Sequence, residues 1–490
     1  MSNSKSTRGP GIVIGVLATA GIASSFTQTM VAPLIGQLPA IFNTSPANTA
    51  WIVTATLLAG AVSVPIAGRL GDLFGKRRVM LLLTLPLILG GIICALAPNV
   101  EIMVTGRALQ GIGSGIVPLG IAMLRDLVPP ERLSSAIATV SATLGVGGAI
   151  GLPVSAAVIE FADWRVLFWG GAAVTLLVAI AIFTLIPAGP AGAAGQRFDG
   201  LGALGLAIGL VSLILAVSKG SSWGWTSALT LGLMALAVVA FVLWGFWETR
   251  TKDPLVDLRT TVRPRVLLTN IASIFVGFGM YASMLVMPQI LQLPGSTGYG
   301  LGQSVLAAGL WLAPPGLMMM FLSPVGGRLS TRRGPKFTLV LGVSILGLGY
   351  VVGVFAMGST WGLLAAGLVI NSGVALAYGA MPSIIMGAVP RSETASANGF
   401  NTLMRSLGTT IGAAVIGLVL AQMTIPLGGA AVPSEAGFRT ALVIGGGVSV
   451  IAALVAALIP AAKAGDTARD DVTDRADDGA PGRELVTAGR

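Results

Sequence analysis

Apolar positions in this chain come in long runs that charge rarely interrupts. Fourteen such runs follow one another, at roughly 12–35, 50–69, 79–97, 102–124, 134–159, 166–186, 201–218, 227–247, 266–290, 304–325, 337–356, 361–386, 396–422 and 439–460. A run of about 20 apolar residues crosses a bilayer as a helix. A helix satisfies its own backbone in lipid, so this pattern predicts an all-α integral membrane protein with fourteen transmembrane helices. Strands of a membrane barrel would show short alternating segments instead. The seventh run is the shortest, and Trp223 and Trp225 follow it as expected interfacial anchors. The first run follows Lys5 and Arg8 but is too long for a cleaved leader and continues into the multi-span pattern.

Composition sharpens this reading. The chain is 54% hydrophobic and 10% charged, against about 25% charged for a soluble domain. An even number of spans puts both termini on one side. Of the 29 Lys and Arg, 24 fall on that side, and Arg165, Lys219 and Arg439 fall on the other. Arg107 and Arg405 lie within spans. The bias predicts cytoplasmic termini, and the net +10 reads as topology and contact with anionic lipid. Basic residues scattered over many short loops do not form a nucleic-acid surface. Cys94 is alone, so no internal disulfide is expected.

The chain repeats itself. "MVAPLIGQLP" at 30–39 matches "LVMPQILQLP" at 285–294, and "PIAGRLGDLFGKR" at 65–77 matches "PVGGRLSTRRGPK" at 324–336. "PPERLSSA" at 129–136 matches "PRSETASA" at 390–397. The anchors are collinear, which predicts two six-helix pseudo-repeat bundles with a two-helix insertion between them. The expected organisation is an N-terminal stretch 1–10, a first bundle 11–186, a linker with two extra helices 187–265, a second bundle 266–460 and an acidic, disordered tail 461–490. Two such halves around a midplane site form a transporter architecture.

The stretch "GRLGDLFGKRR" at 68–78 crowds charge into an apolar chain. Placed between spans 2 and 3, it reads as an inner loop in which Gly68, Gly71 and Gly75 turn the chain. Asp72 is its only acid, and an acid is favoured at the positive end of a helix. Span 13 presents such an end near Ser392 and Thr394, so Asp72 is expected to latch to it when the protein opens outward. The simpler alternative pairs Asp72 with Lys76 or Arg77. Thr331 occupies the matching place in the second half, which makes any latch one-sided.

These residues resemble the major facilitator superfamily. Gly68, Asp72, Gly75, Lys76 and Arg77 stand on its loop motif. "RALQGIGSG" at 107–115 resembles its helix 4 motif through Arg107, Gln110 and Gly111, and "WRVLFW" at 164–169 resembles the start of its helix 6. Fourteen helices with a central pair resemble the drug:proton antiporter branch. The resemblance implies export of hydrophobic or amphiphilic small molecules, such as drugs and antibiotics, by alternating access and proton antiport. Two departures stand out. "FTQTMV" places Thr27 where the branch carries a helix 1 acid. "GGAIGLPVSAA" at 147–157 keeps Gly147, Gly151 and Pro153 of the helix 5 antiporter motif but spaces them differently.

No acid of the nineteen lies mid-span, and the chain has no His. Proton-coupled carriers commonly use an intramembrane acid or His, so the nearest coupling candidate is Glu160, near the outer end of span 5, beside an ordinary interfacial role. Asp199 and Glu248 read as acids of the inner loops. Arg107 is expected to reach Thr27, Gln28 or backbone carbonyls of span 1, and Arg405 sits with Asn398 and Asn401. By the superfamily's arrangement, a substrate cavity would draw on Gln28, Gln110, Tyr281, Met284, Asn371, Tyr378 and Arg405. Met, aromatic and amide groups suit varied amphiphiles.

The expected partners are a hydrophobic or amphiphilic small molecule, protons and the lipid bilayer, with no nucleic acid, and the expected form is a monomer. Richness in Gly, Ala and Leu suggests a high-GC bacterium and hence a bacterial cytoplasmic membrane. Competing readings are a carrier of another substrate class (lipid, peptide or sugar) and a membrane sensor that does not transport. No P-loop for ATP is present, and no cofactor, metal site or enzymatic activity is expected.

Overall fold

The computed structural model describes residues 9–35, 37–187, 195–427 and 430–460. The tail 461–490 and the first eight residues lie outside them. Fourteen helices are long and apolar enough to cross a membrane. In chain order they are α1 (Pro10–Thr29), α2 (Pro46–Phe74), α3 (Lys76–Ala95), α4 (Val100–Leu127), α5 (Pro130–Phe161), α6 (Arg165–Leu185), α7 (Gly200–Trp223), α8 (Ala228–Arg250), α9 (Pro264–Gln292), α10 (Val305–Arg333), α11 (Pro335–Ala356), α12 (Thr360–Met386), α13 (Thr394–Gln422) and α14 (Glu435–Leu458). We term the face on which α1 begins the inner face.

Half of these helices start where the chain supplies a cap. Ser45, Asn99, Asp199, Ser227, Ser304, Ser359 and Ser434 each turn a side-chain oxygen to an N–H of the first turn. That satisfies a donor left over by the helical pattern. The start of α13 carries no side-chain cap of its own.

Three details differ from the expected spans. Span 4 is interrupted by a 3-10 turn at Gly113–Gly115, where Gly113 lies against Leu87 and Gly115 against Ala67. Span 1 ends its α-helix at Thr29, and a 3-10 turn at Ala32–Leu34 follows, with Pro33 in its first turn. Span 7 runs on to Trp223; Gly224 ends it at φ 88°, and Trp225 folds back onto Gly220. A feature the apolar runs did not announce is a small hairpin between α13 and α14, of β1 (Thr424–Leu427) and antiparallel β2 (Ala430–Pro433).

The first half packs α1, α4, α5 and α6 together beside α2 and α3, and the second packs α9 to α14. The halves meet through α2 against α13 and through α5 against α10 and α12. α7 lies against α2 and α13, so it touches both halves, and α8 packs on α7. With 17% of its most apolar window buried, α8 is the helix most open to its surroundings.

Candidate functional site

The charged stretch at 68–78 is not a loop. α2 runs through Phe74 and α3 starts at Lys76, so Gly75 alone joins them, at φ 90°. Gly334 joins α10 to α11 in the same way, at φ 88°. Positive φ of this kind favours glycine. Gly68 and Gly71 therefore do not turn the chain. They let helices approach: a methyl on Gly68 would fall 2.5 Å from the carbonyl oxygen of Ala395, and one on Gly71 2.3 Å from Leu119.

That approach carries Asp72, one turn beyond Gly68, to the start of α13. Ala395 N donates to Asp72 Oδ1 at 3.0 Å, and Ser396 N donates to Oδ2 at 2.7 Å. A carboxylate of the first half thus caps a helix of the second, two residues deeper in α13 than Thr394. Lys76 binds Asp126 instead, at 2.6 Å. Arg77 donates to the carbonyl oxygen of Phe183 near the end of α6, at 2.6 Å, and lies over the Phe183 ring. Arg125 adds a second tie across the halves, to Val389 O and Thr394 Oγ1, each at 3.0 Å. In the second half, Gly327 meets Ser135 at the start of α5 as closely as Gly68 meets α13, but Thr331 bonds back to Gly327 O of its own helix.

In α4, Arg107 is fully buried. Its Nη1 donates to Thr27 O of α1 at 2.8 Å and to Gln110 Oε1 at 2.7 Å. Thr27 turns its hydroxyl to Ala23 O, so its backbone rather than a carboxylate meets the guanidinium. Among the described residues no acid forms an ion pair with Arg107. Gly111 brings α4 within contact of Thr56 and Gly60 in α2. Glu160 is exposed at the end of α5, and no hydrogen bond or ion pair joins it to Arg107. The structure does not bring these two together.

The helix 5 motif has two small-residue faces. Gly147 and Gly151 face α1, against Ser25 and Thr29. Gly145, Ala149 and Pro153 face α10, against Met319, Gly316 and Gly309. Residues two apart on a helix point to nearly opposite sides, so one short sequence lets two helices pack close to α5. Ser323 Oγ to Thr139 Oγ1, at 3.3 Å, continues the α10 seam toward the inner face.

The residues expected to line a cavity divide. Arg405 stacks over the ring of Tyr378 at 4.4 Å, and Tyr378 OH lies 3.0 Å from Met280 Sδ, so these two form one buried cluster. Asn371 bonds back to Gly367 O, Tyr281 is half-buried, and Gln28 and Met284 are exposed. No hydrogen bond or ring contact joins those four. A narrow crevice of about 20 Å³ near the inner face is lined by Asp257, Thr260, Asn270, Glu393 and Ser396, among others, and by none of the expected cavity residues. Asn398 and Asn401 do not meet Arg405. Asn401 instead donates to Asn270 Oδ1 at 2.9 Å and Ser273 Oγ at 2.7 Å, tying α13 to α9. The sequence signalled Asn401 only as an amide within a span; its partners lie 131 and 128 residues away.

Fourteen membrane-spanning helices in two halves that meet through α2 with α13 and α5 with α10 define a multi-pass membrane carrier fold. The family model of the Major Facilitator Superfamily matches residues 17–201 and 197–413. The chain belongs to that superfamily. It is 30% identical, over 76% of its length and 68% of the relative's, to the multidrug resistance protein Stp of Mycobacterium tuberculosis. It is 27% identical to the uncharacterized MFS-type transporter YhcA of Bacillus subtilis over 70% of its length, and spans 63% of that relative. Among solved structures it is similar to the human organic anion transporter MFSD10, with a TM-score of 0.66 at 15% identity, covering 92% of this chain and all of that one.

Proposed function

We propose that this protein is a secondary active exporter of hydrophobic or amphiphilic small molecules, drugs and antibiotics among them, working by alternating access with proton antiport. The observation that carries the substrate class is the 30% identity to a relative named as a multidrug resistance protein. The mechanism follows from the inner-face contacts. Asp72 accepts from two buried N–H donors in the first turn of α13, and Gly68 and Gly327 let the halves touch. These contacts support an inner face held shut, as in an outward-facing or occluded carrier. Breaking the Asp72 bonds and parting α2 from α13 would open the cytoplasmic side.

In this reading Arg107 holds α4 to α1 through Thr27 O, and Gln110 completes its hydrogen bonding. The Arg405–Tyr378 cluster supplies a cation and an aromatic face for ligand contact once the halves part. The protein acts as a monomer in the cytoplasmic membrane of a bacterium. The test is transport in proteoliposomes with an imposed pH gradient, over a panel of lipophilic cations, neutral drugs and lipids. Substrate-triggered proton release supports the reading. Substrate movement without a proton signal would remove antiport. Movement of lipid alone would favour the other substrate class, which Thr27 in place of a helix 1 acid also favours.

A further inference from the structure

Glu248 sits in the last turn of α8 and is 2% exposed. Neither of its carboxyl oxygens has a hydrogen-bond partner. Asp199, at the start of α7, faces it. Asp199 Oδ2 and Glu248 Oε1 lie 2.3 and 2.7 Å from the point where a methyl on Gly202 would sit, so the two oxygens are no more than about 5 Å apart. Glycine at 202 leaves the room they occupy.

The two carboxyls are treated differently by their surroundings. Asp199 accepts from Gly202 N at 2.9 Å and from Trp247 Nε1 at 3.0 Å. Those donors are committed to Asp199. Glu248 has the backbone of Leu255 and Val256 and the Trp244 indole beside it, but none at hydrogen-bonding geometry, and Trp244 Nε1 is itself unpartnered. Around them is apolar packing from Trp244, Leu206, Leu255 and Val256.

Among the described residues, no cation answers this pair. On α8, Arg250 lies over Phe246. Arg197, Lys252 and Arg259 are exposed, and no ion pair joins any of them to Asp199 or Glu248. Asp257 caps the short helix Leu258–Thr261. On α7, Lys219 lies over Trp51 at the far end of the helix. On α2 and α13, the helices packed against α7, Arg69 lies near Glu393, Asp72 binds Ala395 and Ser396, and Arg405 stacks on Tyr378. Among the described residues, the charged side chain that faces Glu248 is Asp199.

Two carboxylates this close, buried and without a cation, do not both ionise. We propose that Asp199 and Glu248 form a proton-binding site on the α7–α8 pair, with the proton on Glu248. The site lies at the inner-face ends of both helices, one turn from water. Its apolar surround continues through Leu255 and Val256 to Phe400 and Leu403 of α13 and Ala61 of α2. Those two helices make the Asp72 contact, so the site is placed to sense whether the inner face is closed. Use of this proton in the transport cycle rests on the antiport reading; the existence of the site does not.

The test is infrared pH-difference spectroscopy on the full-length protein in lipid nanodiscs. A protonated-carboxyl C=O band is expected at neutral pH, and it should vanish in Glu248→Gln. A spectrum identical in wild type and Glu248→Gln at every pH overturns the site. So does a band that appears only when sodium and potassium are withdrawn, which would make the ligand a metal cation. If Glu248→Gln fails to fold, Asp199→Asn serves. Loss of the like charge should lower the pH at which the band disappears by about one unit, a roughly tenfold weaker hold on the proton, and an unmoved midpoint overturns the proposal. Proton release from proteoliposomes is read separately. A silent wild type sinks antiport and leaves the spectroscopic result standing.

Discussion

Asp72 and Ser396 are 324 residues apart in sequence, and the carboxylate of one holds the backbone N–H of the other at 2.7 Å. The donor sits at the start of α13, which no local side chain caps, so the other half of the molecule supplies the cap. In the proposed cycle, parting the halves would leave these two N–H groups without their acceptor. Closure and helix capping are then a single event.

Asp72→Asn and Asp72→Ala should both favour an open inner face. A hydrogen bond to a charged group is worth about 1.5–3 kcal/mol, so losing the carboxylate should shift the closed-to-open ratio by roughly 10-fold or more. Thiol labelling of a cysteine introduced at Ser135, which closure covers, reads the shift directly. Unchanged labelling would remove Asp72 from the closure.

Gly68→Val should act in the same direction without touching charge. Its Cβ would fall 2.5 Å from Ala395 O, a backbone atom that cannot swing aside. Overpacking of this kind costs about 1–3 kcal/mol. Increased labelling together with lost transport is the expected result. The same substitution at Gly71, against the flexible end of Leu119, should be milder.

Arg107→Ala should cost stability as well as transport, because it leaves Thr27 O and Gln110 buried without their donor. An unsatisfied buried group costs about 1–3 kcal/mol, seen as a lower melting temperature in detergent. Arg107→Lys should recover little, since one ammonium group does not reproduce the fixed fork of the guanidinium. Full rescue by lysine would mean that charge alone matters.

A disulfide between cysteines placed at 139 and 323 should form readily, as the native hydroxyls are 3.3 Å apart. If α5 and α10 part during the cycle, oxidation should abolish transport and reduction should restore it. Transport at full rate while cross-linked would make this seam a fixed pivot.

The lipid requirement made the fourteen helices readable, because each crossing needs a long apolar run. Arg107 was readable for the same reason: a cation inside a span demands a partner, and the nearest carbonyls belong to α1. Gly68 and Gly71 were misread as turn formers because glycine serves tight turns and tight packing equally, and only the position of α13 and Leu119 decides between them. Glu248 was placed among watery loop acids since Arg250 and Lys252 follow it closely. Its burial comes from α7 packing across Gly202, which no local pattern encodes. The cavity residues scattered for a related reason: lining is set by which way each helix is rotated, and the apolar runs here are hydrophobic on nearly every side.

The single-residue joins at Gly75 and Gly334 bear on how this chain tolerates change in length. With α2 and α3 held on one residue in a backbone shape that glycine favours, an insertion or deletion there would shift the whole register of one helix against its neighbour. Length variation among relatives should therefore gather elsewhere, in the connections on the opposite face, and these two inner junctions should keep their spacing even where their letters drift.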